Sequence, residues 1–441
     1  MDLNLPVAHE AAIGLTEPSV SKAFVKITGG KPLHGTVTPD GAKNSALIQL
    51  AAMPLVEDTW VKIDNLPGIT DVDVSIEMLR ECGLTCKREK NAVTVIGNAK
   101  KYAFSEENGS RIRSSIAFLG SVLSRFGRVR LPLPGGDAIG DRPIDIHLDV
   151  LRAFQIDARV ENGCVVAEAR KFPLEGAEIF LRYPSVLATV NAILLAVKAT
   201  GKTVIVNAAK EPEIIDLASL LSKMGAHVIG AGTERIIVRG VERLNGAEYQ
   251  VMPDRLETGA LLMAIVMSGG SGKITGTIPE HVLPLVHTLR DCGVDIQIDD
   301  ATIEIKSVQL NKGFQISTAP YPGFATDLQP IITPLALVAP GESAITDTVF
   351  PERFGHVSEL RKFGADIKRN GNTIWVHGLE PLSGCEVAGG DIRSVVCLIN
   401  TALSVGTETK VFGVEHLLRG HARFVDKLKS LEAQIDYSSA L

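Results

Sequence analysis

One pattern occurs six times along this chain, and it limits the fold more than any other feature of the sequence. Each copy reads as a helix ending in Leu-x-x-(Cys/Met/Phe)-Gly or a variant of it, then a short strand, a turn and a second short strand. The helix-end positions are Gly83, Gln155, Gly225, Gly293, Gly364 and Glu432, spaced by about 70 residues. The fifth copy shows the physics most clearly. Val357, Leu360 and Phe363 fall on one helical face, and Gly364 supplies a left-handed cap after the last turn. Ile374 and Val376 alternate as in a half-buried strand, and Asn370-Gly371 provides the turn before it. The sixth copy, VDKLKSLEAQIDYSS, is cut short by the C-terminus. The spacing predicts a βαβαββ unit, with three units sharing a core to make one lobe and six making two.

The chain is 441 residues long, with 45% hydrophobic and 22% charged residues and a net charge of -6. That length predicts more than one core, and the negative balance argues against non-specific nucleic-acid binding. The six cysteines form no CxxC pair and have no histidine at metal-ligand spacing, so reduced thiols and no metal are expected. The first twenty residues contain Asp2, Glu10 and Glu17 but no Lys or Arg. They read as a loose tail, not as a secretion leader. No run has the roughly 18 uninterrupted apolar residues of a membrane span. A cytoplasmic protein with no cofactor, either monomeric or weakly self-associating, is the expectation.

Familiar ligand motifs are missing. No GxGxxG follows a strand. The segment Gly269 to Lys273 imitates a phosphate loop, but Met267 stands where its first glycine belongs and Ile274 replaces Ser or Thr. Polar clusters instead gather where the repeats break. Gly41-Ala42-Lys43-Asn44-Ser45 precedes an apolar helix, which puts an ammonium beside free backbone N–H groups and suits a phosphate. Arg111 and Arg113, two residues apart, can both grip an oxyanion. The segment from Leu133 to His147 holds three glycines and two prolines, with Asp137 at its tip.

Taken in order, GAKN, the RxSS-type arginine segment, LPGG-x-AIG-x-RP-x-D-x-H, EPEI-x-DLA, PDR-x-E, PYPGF-x-TDLQ, TVF-x-x-RF-x-H-V-x-EL and D-x-R make the chain from about Ile27 onward resemble the UDP-N-acetylglucosamine enolpyruvyl transferases. The resemblance implies an inside-out α/β barrel fold in two lobes. The first lobe would be 43–251 and the second 23–42 plus 252–441, with a cleft between them that closes on substrate. It also implies a reaction: the enolpyruvyl unit of phosphoenolpyruvate passes to a hydroxyl of a uridine-nucleotide sugar through a tetrahedral intermediate, and phosphate leaves.

The same resemblance implies roles for individual residues. Lys43, Arg142 and Arg419 would hold phosphoenolpyruvate, supported by Arg113 and Arg393. Asn44 and Asp327 would bind the sugar, and Asp327 would take the proton of the attacking hydroxyl. Arg142, Pro143, Asp145 and Ile146 would embrace the uracil beside His147. Ser185 and Val186 would approach the diphosphate, and Val349 would join the nucleotide-sugar site. Arg353 and Asp391 would help close the cleft. Asp137 would deliver a proton to carbon.

Two departures from the family pattern stand out. Asp137 fills a loop position where most members carry Cys. A carboxylic acid can carry the proton, but it is a poorer soft nucleophile than a thiolate. Activity without a stable cysteinyl adduct, and indifference to the epoxide fosfomycin, are therefore expected. The family usually reads PSVGATEN where this chain reads PSVLATVN, so Leu187 replaces a glycine and Val190 a glutamate. A side chain at 187 can crowd a diphosphate. A smaller uridine nucleotide such as uridine monophosphate, a different UDP-sugar, or nucleotide binding without turnover therefore stay open beside UDP-N-acetylglucosamine.

Overall fold

The apolar composition separates the helices into two kinds, and the separation builds the fold. In the computed structural model, which describes residues 23–136 and 143–438, the helix Arg255–Met267 buries all thirteen of its residues and Ile392–Leu403 all twelve. Lys43–Ala52, Phe118–Phe126, Val186–Ala196 and Gln329–Val338 are nearly as deep. A helix apolar on every side must be wrapped on every side, so these six lie innermost. The helices of the repeated Leu-x-x-x-Gly pattern are amphipathic and lie outside. Leu283–Asp291, for example, buries only Leu285, Val286 and Leu289. The tail expected over 1–22 falls outside the described residues.

Six sheets surround the inner helices among the described residues, five of four strands and one of three. Each four-stranded sheet repeats one plan. A lead strand runs parallel to a central strand, and the two closing strands of the unit run antiparallel beside it. Lys202–Val206, for instance, pairs in parallel with Glu178–Phe180 and antiparallel with Arg235–Arg239, which also pairs with His227–Ile229. In the three-stranded sheet the lead strand shrinks to a single parallel bridge, Ala103 to Arg130. The fold is thus an inside-out α/β architecture of six βαβαββ units. The segment 269–273 is no phosphate loop: Gly269 and Gly270 turn the chain into the strand Ser271–Thr275, which holds the rest of it.

The helix ends repeat faithfully. Gly83, Gly225, Gly293 and Gly364 all have φ between 92° and 101°. Gln155 and Glu432, which hold the same place without glycine, are also left-handed, at 56° and 73°. The unit geometry therefore dictates the cap, and two L-residues accept its strain.

The hydrophobic interior falls into two clusters. One gathers residues from Ala42 to Met252, and the other gathers Ala23–Val37 with Leu256–Ile435. Each cluster with its three sheets is called a lobe below. The sixth unit is not truncated in space. Its last strand is Phe24–Thr28 from the other end of the chain, which sits between Glu408–Phe412 and Ile435–Tyr437. The chain crosses between lobes at 38–42 and again at 251–254. The two crossings are bonded to each other, Ala42 N–H to Met252 O at 2.8 Å and Asp254 N–H to Asp40 O at 2.8 Å. Gly41 is required there, because a Cβ would lie 1.7 Å from the carbonyl oxygen of Asn65.

Candidate active site

All six inner helices, or the 3-10 turns that lead into them, begin on one cavity of about 460 Å³. Lys43 and Asn44, Arg113 and Ser114, and Ser185 to Leu187 come from the first lobe. Arg255, Thr326 with Asp327, and Ile392 with Arg393 come from the second. Helix N-termini carry partial positive charge and unbonded N–H groups. Six of them facing one space, with Lys43, Arg113, Arg255, Arg353, Arg393 and Arg419 on its wall, make that space a receptor for anions.

Five of these cations face acids. Lys43 Nζ lies 2.8 Å from Asp71 Oδ2, and Arg419 reaches across from the second lobe to Asp71 Oδ1 at 3.0 Å. Burial lowers the Lys43 ammonium from its ordinary value, Asp71 opposes that, and Arg419 and Arg393 add to it. Arg353 Nη1 is 2.6 Å from Asp327 Oδ1, and Arg393 Nη2 is 3.5 Å from Asp327 Oδ2. Burial alone would raise the Asp327 carboxyl, but Arg353 and then Arg393 hold it well below the usual carboxylate range. Arg255 Nε meets Glu213 Oε1 at 3.0 Å across the lobes.

Lys43 is fixed from behind. Helix Lys43–Ala52 is tied to Asp216 of the EPEI-x-DLA segment through Ser45 Oγ and through Gln49 Nε2 at 2.7 Å, and Tyr249 donates to the same carboxylate at 2.6 Å. The Lys43 backbone N–H donates to Asp254 Oδ2 at 3.0 Å, which pins the ammonium relative to the second lobe.

The cavity is also lined by Pro143, Ile146, Tyr183, Leu187 and Phe350. Asp145 starts the helix Asp145–Ala153, where its Oδ1 accepts the Ile146 N–H at 2.9 Å and its Oδ2 meets Arg182. His147 is buried, with Nδ1 accepting from Asn191 Nδ2 at 2.8 Å. Burial, then Arg113, pushes its imidazole down to about 3, so it is a neutral strut. Glu211 contributes an acid whose Oε2 is buried with no partner among the described residues, and burial raises its carboxyl.

Of the residues expected from the sequence, Lys43, Asn44, Arg113, Pro143, Asp145, Ile146 and His147 lie on this wall. So do Ser185, Val186, Asp327, Val349, Arg353, Arg393 and Arg419. Asp391 does not line the cavity. It caps the helix Ile392–Leu403, accepting from the N–H groups of Arg393 and Ser394 at 2.8 and 3.1 Å. Asp137 and Arg142 lie outside the described residues. Sequence reasoning assigned no role to Asp71, Tyr183, Glu211, Glu213 or Arg255. Glu211, Glu213 and Arg255 sit inside quoted motifs, so position along the chain could have flagged them. Asp71 had no such signal.

A family model described as EPSP synthase (3-phosphoshikimate 1-carboxyvinyltransferase) matches residues 27–428. The UDP-N-acetylglucosamine 1-carboxyvinyltransferase 1 of Caldanaerobacter subterraneus subsp. tengcongensis is 40% identical over 404 residues, covering 92% of this chain and 97% of that protein. The corresponding enzyme 2 of Streptococcus mutans is 39% identical over 415 residues, covering 93% and 98%. Among solved structures, the enolpyruvyl transferase NikO from Streptomyces tendae superposes with a TM-score of 0.84 at 25% identity, over 95% of this chain and 99% of that one. An EPSP synthase from Acinetobacter baumannii, at 16% identity and a TM-score of 0.74, shares the fold.

Proposed function

This chain belongs to the EPSP synthase family of 1-carboxyvinyltransferases, and on that premise we propose that it transfers the enolpyruvyl group of phosphoenolpyruvate to the 3-hydroxyl of UDP-N-acetylglucosamine, releasing phosphate. The reading rests on one observation above all: Lys43, Arg393 and Arg419, drawn from both lobes, meet beside Asp327 on a single cavity wall. The relatives that carry this acceptor in their names match over more than nine-tenths of the chain.

The chemistry requires a proton on the methylene carbon of phosphoenolpyruvate and attack of the acceptor oxygen on the neighbouring carbon. Loss of that proton and of phosphate then restores the double bond. Positive charge develops at the attacked carbon and negative charge on the leaving phosphate, and fixed cations in a dry site stabilise the latter. Lys43, Arg393 and Arg419 fill that role in this reading, with Arg142 joining them. Asp327 accepts the hydroxyl proton. Its two arginines keep it ionised, and an arriving dianion that draws Arg353 and Arg393 toward itself raises the basicity of the carboxylate at that moment. Asp137 supplies the acid for carbon, and with no thiolate at that position fosfomycin leaves the enzyme unmodified.

The two departures of PSVLATVN separate here. Val190 is fully buried in the first-lobe core and does not line the cavity, whereas Leu187 does. A smaller uridine nucleotide as acceptor is therefore a question about Leu187 alone. The test is phosphate release from phosphoenolpyruvate with UDP-N-acetylglucosamine, other UDP-sugars and uridine monophosphate offered in turn. Turnover with the first supports the reading. Turnover only with the monophosphate, restored to the sugar nucleotide by Leu187→Gly, moves the acceptor. No phosphate release with any of them refutes enolpyruvyl transfer.

A further inference from the structure

Most cations of the cleft lean on a carboxylate: Lys43 and Arg419 on Asp71, Arg353 on Asp327, Arg255 on Glu213. Arg393 is arranged differently. Its Nη1 lies against His421 Nε2, and the carboxylate of Asp327 is farther off, 3.5 Å from Nη2. His421 is 2% exposed and stands behind Arg393, off the cavity wall. It is locked there by its own backbone, whose N–H donates to Leu417 O at 2.7 Å and whose carbonyl accepts from Phe424 at 2.9 Å. The Phe424 ring lies beside it, with centroids 6.2 Å apart.

A guanidinium has donors only, so His421 Nε2 must accept and cannot carry a proton. The proton of the neutral ring then sits on Nδ1, a buried atom with no partner among the described residues. An orphaned buried donor is costly, so the arrangement persists because the acceptor on the opposite side of the ring is useful. Charged groups face the imidazole from four directions: Arg393 on the helix Ile392–Leu403, Lys427 on Phe424–Ser430, Lys43 on Lys43–Ala52 and Asp327 on the turn Thr326–Leu328. Burial, then Arg393, Lys427 and Lys43, hold the ring well below its ordinary value.

We propose that His421 is a positioning residue for Arg393: its neutral Nε2 accepts one guanidinium N–H and so turns the remaining donors toward Asp327 and the cavity, without neutralising the charge that an anionic ligand needs. A carboxylate at this place would fix Arg393 equally well but cancel its charge. An apolar side chain would preserve the charge but leave the guanidinium free to swing. The inference builds on the reading of the cavity as a phosphoenolpyruvate site, and it extends that site by one layer.

The test compares full-length wild type with His421→Phe and His421→Gln. Loss of the acceptor in His421→Phe is expected to raise the KM for phosphoenolpyruvate roughly tenfold or more, as a hydrogen bond to a charged group is worth at least that factor. The KM for the acceptor should stay within about twofold. His421→Gln, whose Oε1 can accept the same N–H, should recover most of the loss. Inorganic phosphate titrated calorimetrically should rank the three proteins in the same order, and that readout needs no turnover. His421→Leu replaces the Phe variant if the larger ring disrupts the fold. Imidazole 15N shifts of the wild type should report the neutral Nδ1–H form at pH 7, with no variant at all. An Nε2–H or doubly protonated ring overturns the proposal. So does a folded Phe or Leu variant with unchanged phosphate affinity, or a Gln variant no better than Phe. If the three proteins rank in phosphate affinity as expected yet the wild type releases no phosphate from phosphoenolpyruvate, the functional reading fails and the role of His421 stands.

Discussion

The two lobes repeat one architecture but begin their inner helices differently. In the first lobe, none of the residues that precede Lys43–Ala52, Arg113–Ala117 and Val186–Ala196 caps the helix with its side chain. In the second lobe, Asp254 caps Arg255–Met267 and Asp391 caps Ile392–Leu403. The second lobe also supplies Asp327 with Arg353 and Arg393 bound to it. Two of its three helix ends are therefore capped by its own aspartates, the turn Thr326–Leu328 having no side-chain cap, while its Arg255 and Arg419 are held by Glu213 and Asp71 of the first lobe. The first lobe relies on its neighbour, since the first N–H of its leading helix donates to Asp254. The lesson is a division of labour. One wall has two of its helix ends capped by its own aspartates, and the other leaves its helix ends for partners outside itself, a ligand included.

The largest expected effect breaks the organised wall. Asp327→Asn keeps the shape but can neither take a proton nor hold Arg353 as an ion pair. Its kcat for phosphate release should fall by about 10²–10⁴, the usual worth of a positioned base, with acceptor affinity little changed. A loss below tenfold would remove Asp327 from the proton transfer. The corresponding change on the other wall is Asp71→Asn, which removes the carboxylate that Lys43 and Arg419 share. Removing one partner of a buried ion pair costs about 3–5 kcal/mol. The lower end is expected because the Arg419 side chain is 24% exposed. Urea unfolding measures it, and added inorganic phosphate should restore part of the loss in this variant, because the anion replaces the missing carboxylate. Equal stabilisation of wild type and variant by phosphate would show that Asp71 does not stand in the anion's place.

A smaller effect should fall on both lobes alike. His147 in the first and His356 in the second are buried, and burial above all pushes them down to about 3 and about 4. Both are neutral in the fold and protonate near pH 6.5 once unfolded. Their contribution to stability is complete above about pH 6.5 and is lost as the pH falls from there toward the folded values. At pH 5 each costs about 2 kcal/mol relative to pH 7. Unfolding at the two pH values should show this, and His147→Gln or His356→Gln should each remove an equal share. Unequal shares would mean that one of the two rings is already charged in the fold.

The sequence carried the repeat, because the helix-end signal is local and recurs six times. The repeat pattern did not reveal the strand that completes the sixth unit, since Phe24–Thr28 lies some four hundred residues from its partners and carries no mark of the repeat; only the family resemblance assigned 23–42 to the second lobe. The pattern also could not show that Gln155 and Glu432 adopt the glycine conformation, because the surrounding unit imposes it and the residue type does not reveal it. At the site, motif order located Lys43, Asp327, Arg393 and Arg419 on one surface. The partners of those residues stayed hidden. Asp71 meets Arg419 and Glu213 meets Arg255 across the two lobes, and such pairings depend on how separate units dock. Asp391 illustrates the reverse: it belongs to the right motif, but local capping claims its carboxylate.

The smallest expected effect is the sharpest test of the difference between the lobes. Asp391→Ala removes a cap that accepts two backbone N–H groups and the Ser394 hydroxyl. Such caps contribute about 1 kcal/mol, up to about 2. Ser185→Ala, at the equivalent position of the first lobe, removes a side chain that caps nothing in the free protein, so stability should change by only a few tenths of a kcal/mol. Binding should reverse the ranking. Ser185 lies on the cavity wall and Asp391 does not, so Ser185→Ala should weaken the nucleotide acceptor while Asp391→Ala leaves its affinity nearly intact. Unfolding curves and acceptor titrations on the two variants give four numbers. If Ser185→Ala proves as destabilising as Asp391→Ala, the first-lobe helix ends are capped after all, and the contrast between capped and uncapped helix ends dissolves.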